Sequence, residues 1–174
     1  MQHVKLGHSL SVQEVSCGKS HTMILTKSGY VYSFGQGDYG QLGHCNGNSI
    51  SDPELILKLS NYRVSKIACS DHSSFAIASV KDFNLHLQNS RCDNLSLLAL
   101  TEPERKILLS WGRGHTGVLA LGDEEDRNVP TITDLLSHEM EIEDISCGAQ
   151  HAIAILKDDR GDSRIFSWGD NSHG

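Results

Sequence analysis

One pattern recurs three times along this chain. Val15-Ser16-Cys17-Gly18-Lys19-Ser20-His21 opens a segment that runs to Tyr30-Val31-Tyr32-Ser33-Phe34-Gly35. Ile145-Ser146-Cys147-Gly148-Ala149-Gln150-His151 opens a second that runs to Arg164-Ile165-Phe166-Ser167-Trp168-Gly169. Between them, Ile67-Ala68-Cys69-Ser70-Asp71 leads, after an interruption, to Leu108-Leu109-Ser110-Trp111-Gly112. Self-similarity at a period of about fifty residues marks an array of equivalent structural units, each burying a face on its neighbour.

The spacings show where each unit is rigid. Gly35 and Cys69 are 34 residues apart, Gly112 and Cys147 are 35 apart, and a Pro follows each Gly at the same offset, Pro53 and Pro130. From the Cys to the aromatic-Gly pair the distance instead runs from 18 (Cys17 to Gly35) through 22 (Cys147 to Gly169) to 43 (Cys69 to Gly112). A place that absorbs such insertions without disturbing its flanks is a surface turn.

Residues 21–26 read as a strand, Lys27-Ser28-Gly29 as a turn, and residues 30–35 as a second strand, because β-branched and aromatic runs flanking a Gly-containing turn signal a hairpin. Strands are predicted at Val15–Cys17, His21–Leu25 and Tyr30–Phe34. Their equivalents are Ile67–Cys69, Phe75–Ser79 and Ile107–Trp111, then Ile145–Cys147, Ala152–Leu156 and Arg164–Trp168. Another short strand is expected after each Pro, and one more at Val4–Leu10. In the second copy the hairpin turn is replaced by an insertion at 82–107, which has the apolar content for a short helix but not its capping pattern. A Gly-rich connection follows each aromatic-Gly pair, implying positive φ or close backbone approach.

The 174 residues suffice for one domain with a core, and 15 Lys and Arg against 22 Asp and Glu leave a net charge of −7. No basic cluster appears, so this segment is not expected to contact nucleic acid. No apolar run reaches membrane-spanning length, and the start carries no signal-peptide pattern. Cys17, Cys69 and Cys147 share one repeat position, so the expectation is buried, metal-free thiols in a reducing compartment, cytoplasmic or nuclear, rather than disulfides. Acidic residues gather at 123–126 and 139–144. They read either as solvated loop and strand edge or as an acidic rim facing a basic partner.

No residue is assigned a catalytic, cofactor-binding or metal-binding role. Cys17/His21 and Cys147/His151 have a zinc-like C-x3-H spacing, but structural zinc takes four ligands and the second copy lacks the His. The other reading is a buried Cys beside a His that hydrogen-bonds loop backbone. Gly35-Gln36-Gly37-Asp38-Tyr39-Gly40 fits G-x-G-x-x-G by letter, but no helix pattern follows, so the dinucleotide reading fails. Nucleophile elbows and zinc-protease motifs do not occur, Trp111 and Trp168 read as packing anchors, and the chain reads as not an enzyme.

These residues resemble the regulator-of-chromosome-condensation repeat family. The first copy matches at Cys17, Gly18, His21, Leu25, Phe34, Gly35, Gly40, Gln41, Leu42 and Gly43. The third matches at Cys147, Gly148, His151, Trp168, Gly169, Asn171 and Gly174. The second departs, with Ser70 for Gly, Ser73 for His and Ala120 for the last Gly. The resemblance implies an all-β fold, a seven-bladed β-propeller of antiparallel four-stranded blades. Seven units would need roughly twice this chain. The expectation is therefore an incomplete fragment of a propeller over 1–174, interrupted by the loop at 82–107.

Propellers present loops on two faces, and function lives in those loops. One reading is a regulatory scaffold that binds protein partners, with 82–107 as the contact loop. The alternative that the resemblance implies is guanine-nucleotide exchange on a small GTPase such as Ran. Chromatin attachment is a third reading, weakened by the negative charge. The sequence alone does not name the partner.

Overall fold

A computed structural model describes residues 10–80, 105–133 and 140–172. They form three antiparallel sheets. The first holds β1 (Val12–Cys17), β2 (His21–Thr26), β3 (Val31–Gly35) and β4 (Ile50–Leu55). The second holds β5 (Tyr62–Cys69), β6 (Ser73–Val80), β7 (Ile107–Gly112) and β8 (Arg127–Ile132). The third holds β9 (Met140–Cys147), β10 (His151–Asp158) and β11 (Ser163–Gly169). Within each sheet, strands are paired in chain order. Eight of the nine strands predicted from the repeat fall inside observed strands, and the ninth, Tyr30–Phe34, starts one residue ahead of β3. The expected strand at Val4–Leu10 falls almost wholly outside the described residues, as does nearly all of the 82–107 insertion.

The strand after each Pro needs a correction. Pro53 and Pro130 lie inside β4 and β8 rather than ahead of a strand. Both strands are the outermost of their sheets, where a residue without an N–H costs no ladder bond on the open side.

The sheets stack face to face in sequence. β5 lies against β1 and β2, and β9 against β5, β6 and β7. Between the first two sheets, Met23, Leu25 and Val31 meet Ile67, Ala76, Ala78 and Trp111. Between the second and third, Phe75, Ile77 and Leu108 meet Ile145, Ala152, Ala154 and Leu156. Pairing bulky residues on one sheet with Ala on the next fills the gap without overpacking. Each fully buried Leu, Ile or Phe contributes roughly 1.5–3 kcal/mol. Period-two alternation explains the burial. The middle sheet is covered on both sides, and β6 is buried along nearly its whole length. β10 alternates exposed and buried, because among the described residues only one of its faces is covered. The result is an arc of propeller blades, an incomplete propeller.

The first strand of each sheet carries a register shift at an equivalent place: between Val12 and Glu14 on β1, between Val64 and Lys66 on β5, and opposite Ile155/Leu156 on β9. Such a bulge leaves one residue unpaired and increases local twist. The pattern of apolar letters gives no hint of it.

Gly35, Gly112 and Gly169 sit at φ 110°, 103° and 101°. A Cβ on any of them would overlap the carbonyl of Ser20, His72 or Gln150 respectively. The residue after each Gly donates its N–H to that same carbonyl, at 2.8, 3.0 and 2.9 Å. This glycine lets β3, β7 and β11 end against the turn that opens β2, β6 and β10.

Candidate functional site

Antiparallel pairing sorts the connections onto two rims. The turns at 18–20, 70–72 and 148–150 lie on one rim with the long loops 36–49 and 113–126. The hairpin turns at 27–30 and 159–162 lie on the other, together with Val80 and Ile107, which flank the insertion.

On the first rim the polar residues of the repeat are engaged in joining sheets. His21 is 3% exposed and its Nε2 lies 2.9 Å from Ser74 Oγ on the next sheet. Ser74 Oγ donates to the Gln41 carbonyl at 2.8 Å, and Trp111 Nε1 donates to the same oxygen at 2.9 Å. Because the single Ser74 proton goes to Gln41, His21 Nε2 must be the donor to Ser74, which fixes a neutral tautomer. Its Nδ1, buried without a hydrogen-bond partner, is then an acceptor lone pair rather than an orphaned donor. Burial, followed by the nearby His72, pulls the imidazole pKa down from 6.5 to about 4.

The Trp contact repeats one sheet on. Trp168 Nε1 donates to the Val118 carbonyl at 2.7 Å. Gln41 and Val118 stand at the same offset after Gly35 and Gly112. Ser33 and Ser110 brace the same loops from within, each hydroxyl donating at 2.7 Å to the carbonyl of Leu42 or Leu119. Trp111 and Trp168 are packing anchors as expected, with a hydrogen bond between neighbouring sheets added. The expected partner of the repeat His needs correction: His21 reaches the Ser74 hydroxyl of the next sheet, not loop backbone. His151, at the equivalent position, is exposed because no described element covers it.

The cysteines also differ from expectation. Cys69 is 8% exposed, but Cys147 is half-buried and Cys17 is exposed. Cys69 lies between sheets, its N–H on Ser16 Oγ at 2.9 Å and its Sγ 3.5 Å from the Ser16 carbonyl. No described element covers Cys17 in the same way. Burial pushes the thiols of Cys69 and Cys147 up to about 12, opposite to what a nucleophile or metal ligand requires. Among the described residues, no group of three or more His, Cys, Asp or Glu gathers as a metal site would need.

The acidic stretches are largely occupied. On β9, Asp144 pairs with Lys66 of the second sheet, Glu143 with Lys157 at 2.6 Å, and Glu141 with Lys106 at 3.5 Å. Lys66 and an Ile145 N–H hold the Asp144 carboxyl below its ordinary range. In loop 113–126, Asp123 accepts from Arg127 at 2.6 Å and from the Glu125 N–H at 3.0 Å, and Asp126 accepts the Gly114 N–H at 2.9 Å.

The same rim carries a cluster that the sequence did not announce. The Tyr39 ring lies 5.1 Å from His72 at 58°, and the Arg113 guanidinium sits 4.9 Å over its centre. Beside it His72, Arg113, His115, Val118 and Gln150 line a small cleft between the second and third sheets. Tyr39 and Arg113 are more than 70 residues apart in sequence, so only the stacking of sheets brings them together. No helix among the described residues is long and apolar enough to cross a membrane.

Comparison with known proteins agrees with this construction. The regulator of chromosome condensation (RCC1) repeat matches residues 28–77 and 107–155, and a second form of the repeat matches 12–41 and 142–174. The chain is similar to the Arabidopsis thaliana ultraviolet-B receptor UVR8, 32% identical over 94% of this chain and 30% of that protein. It is also similar to the human E3 ubiquitin-protein ligase HERC2, 29% identical over 91% of this chain and 3% of the ligase. The crystal structure of Prp20p from Saccharomyces cerevisiae, described with its binding to Gsp1p and histones, superposes with a TM-score of 0.63. That match has 20% identity and covers 87% of this chain and 32% of that one. The chain thus spans less than a third of the length of each of these relatives.

Proposed function

From the premise that the chain belongs to the regulator of chromosome condensation repeat family, we propose that it is a protein-interaction scaffold whose varied loops, not its repeated residues, contact partners. The observation that carries this reading is the use of the repeat's own polar groups. His21, Ser74, Trp111 and Trp168 are engaged between sheets, and Ser33 and Ser110 within them. These polar groups are thus occupied in joining and bracing the sheets, while the loops that differ between copies are left for recognition.

On this reading the chain is not itself an enzyme and works inside the cell. The raised thiols of Cys69 and Cys147 suit a reducing compartment, where they remain unreacted. The loop at 82–107 is the contact element, because it is the feature that the repeat explains least.

The test replaces the insertion from residue 82 up to residue 104 with a short Gly-containing turn, sparing Ile107, which is buried in β7 and pairs with Ala78. Copies one and three already close the equivalent hairpin with short turns, at 27–30 and 159–162. The trimmed protein is expected to keep its fold and to lose its partner in quantitative affinity capture. Unchanged capture removes this loop as the contact. The exchange reading is tested separately, by measuring nucleotide release from small GTPases, Ran included. Exchange works by preferring the nucleotide-free state, so acceleration by both the intact and trimmed proteins would replace the scaffold reading.

A further inference from the structure

The second sheet has another sheet on each side, and on the first rim parts of all three meet around one cation. Tyr39 comes from the loop after β3, His72 from the turn before β6, Arg113 and His115 from the loop after β7, and Gln150 from the turn before β10. The fold uses the Arg113 backbone: its N–H donates to the His72 carbonyl at 3.0 Å, and its carbonyl accepts from Ser73 Oγ at 2.7 Å. It does not use the guanidinium. Lys66, Lys106, Arg127, Lys157 and Arg164 each face a carboxylate, but among the described residues none pairs with Arg113. Asp38, Asp123 and Asp126 of the same two loops are occupied by Gln36, Arg127 and the Gly114 N–H. His72 Nδ1 is likewise buried without a hydrogen-bond partner, which a buried polar atom ordinarily has.

The repeat does not call for these side chains. Gln36 and Asp170 stand at the Arg113 position, Ser20 and Gln150 at the His72 position, and Thr116 at the Tyr39 position. The loop after β3 closes with Gln36 there, so the rim does not need an arginine to form.

We propose that Arg113, held over Tyr39 and flanked by His72 and His115, is a seat for one carboxylate side chain, Asp or Glu, from an acidic segment of a protein partner. The proposal rests on the scaffold reading and adds a contact on the rim opposite the insertion. Seating over the Tyr39 ring orders a long side chain in advance, so less entropy is lost when an acceptor arrives. It leaves the guanidinium N–H groups for the two oxygens of a carboxylate, a match that lysine cannot make. Arg113 is the one permanent charge lining the cleft. It balances one carboxylate, whereas a phosphate monoester brings about −1.5 to −2 charges. The chain carries a net −7, so an acidic segment is repelled by much of the remaining surface and the seat fixes its register.

The experiment titrates the whole isotope-labelled chain with a capped peptide holding three consecutive glutamates between glycines, up to about 20 mM. Binding is read by NMR at the Arg113 Nε–H and at the His115 backbone amide. The wild type should shift saturably, and the glutamine version of the peptide should leave it unmoved. Arg113→Gln should abolish the His115 shift. Arg113→Lys, which keeps the charge, and Tyr39→Leu, which removes the seat, should each weaken binding about threefold or more. The unfolding midpoint of Arg113→Lys should stay in place. No saturable shift in the wild type overturns the proposal, as does a shift that survives Arg113→Gln. A phosphoserine peptide that binds as well as the glutamate peptide overturns the carboxylate assignment. Shifts that follow protein concentration without peptide give the seat to a second copy and overturn it too. Replacing the insertion does not touch this rim, so failure of the titration alongside lost partner capture removes the seat and leaves the scaffold reading standing.

Discussion

The buried imidazole of His21 makes stability depend on pH in a direction that can be worked out. In the folded chain its pKa is about 4, against 6.5 for an exposed histidine, because burial disfavours the charged ring and His72 adds to that cost. The unfolded chain binds a proton at His21 below about pH 6.5, whereas the folded chain resists protonation until about pH 4. Stability from this residue is therefore fully present above pH 6.5 and falls as the pH drops toward 4. A depression of this size corresponds to about 3 kcal/mol over that window. Protonation also places a second N–H on a ring whose Nδ1 has no acceptor.

The assay is urea unfolding at one low protein concentration, followed by tryptophan fluorescence at pH 7.5 and pH 4.5. Trp111 is fully buried and shares the Gln41 carbonyl with Ser74, the residue that His21 contacts. His21→Asn removes the titration while keeping a polar side chain. Carboxylates and the histidines other than His72 contribute equally to both proteins, so the difference between them isolates His21 together with its coupling to His72. The wild type should lose about 2–3 kcal/mol more than the variant between the two pH values. Parallel pH profiles would refute the account of His21 as a buried neutral link between sheets.

Other outcomes follow from the same geometry. Gly18→Ala should cost about 2 kcal/mol or more, because the new methyl overlaps the locked His21 ring and the Ser70 carbonyl; Gly148→Ala should cost well under half of that, because it meets only the exposed His151 ring, which can swing away. Ala120 is held at φ 55°, so Ala120→Gly should raise the urea midpoint by the equivalent of about 1 kcal/mol. A thiol reagent should modify Cys17 and Cys45 quickly and Cys69 and Cys147 only on unfolding, as mass spectrometry of partly labelled protein will report. If the 113–126 loop meets a basic partner, Glu124→Gln with Glu125→Gln should weaken that binding and flatten its salt dependence while leaving the melting curve in place, whereas Asp126→Asn should also loosen the loop.

The strands were legible in the sequence because each copy repeats both the period-two apolar pattern and its turn residues. Three features were not legible, each for a physical reason. The acceptor of the Trp111 indole is the Gln41 carbonyl, and every residue has a carbonyl, so no letter marks it. The Tyr39, His72 and Arg113 cluster exists only because separate sheets stack. The cysteines share a repeat position, yet Cys69 is buried and Cys17 is exposed. Burial in a stacked array belongs to the neighbour as much as to the residue. Ser70 and Ser73 looked like two independent departures from the repeat. They are coupled, because a side chain at the Gly18 or Gly148 position would run into the histidine ring three residues on, and the second copy has no histidine there. Freed of the ring, Ser70 accepts the Ser73 N–H at 3.0 Å, and Ser73 Oγ donates to the Arg113 carbonyl at 2.7 Å.

That coupling bears on where recognition resides. Were the Gly and His positions a functional site, losing both from one copy would remove a site. Instead a second local solution holds the same turn, with the N–H of Ser70 donating to the Ser73 carbonyl at 2.9 Å just as Gly18 donates to His21 and Gly148 to His151. The acidic strand β9 gives the same lesson. Its three described carboxylates face Lys66, Lys106 and Lys157, so the charge that looked like a partner-facing rim is mostly spent within the chain. In the loop at 123–126, the side chains of Asp123 and Asp126 are likewise taken up by Arg127 and the Gly114 N–H. The hydrogen bonds of His21, Trp111 and Trp168 give these repeat positions a role at the interfaces between sheets. On the scaffold reading proposed above, differences among partners would be read by what varies between copies: the length of the β6–β7 connection, the Glu124-Glu125 tip, and the Tyr39 and Arg113 side chains, whose counterparts in the other copies are different residues.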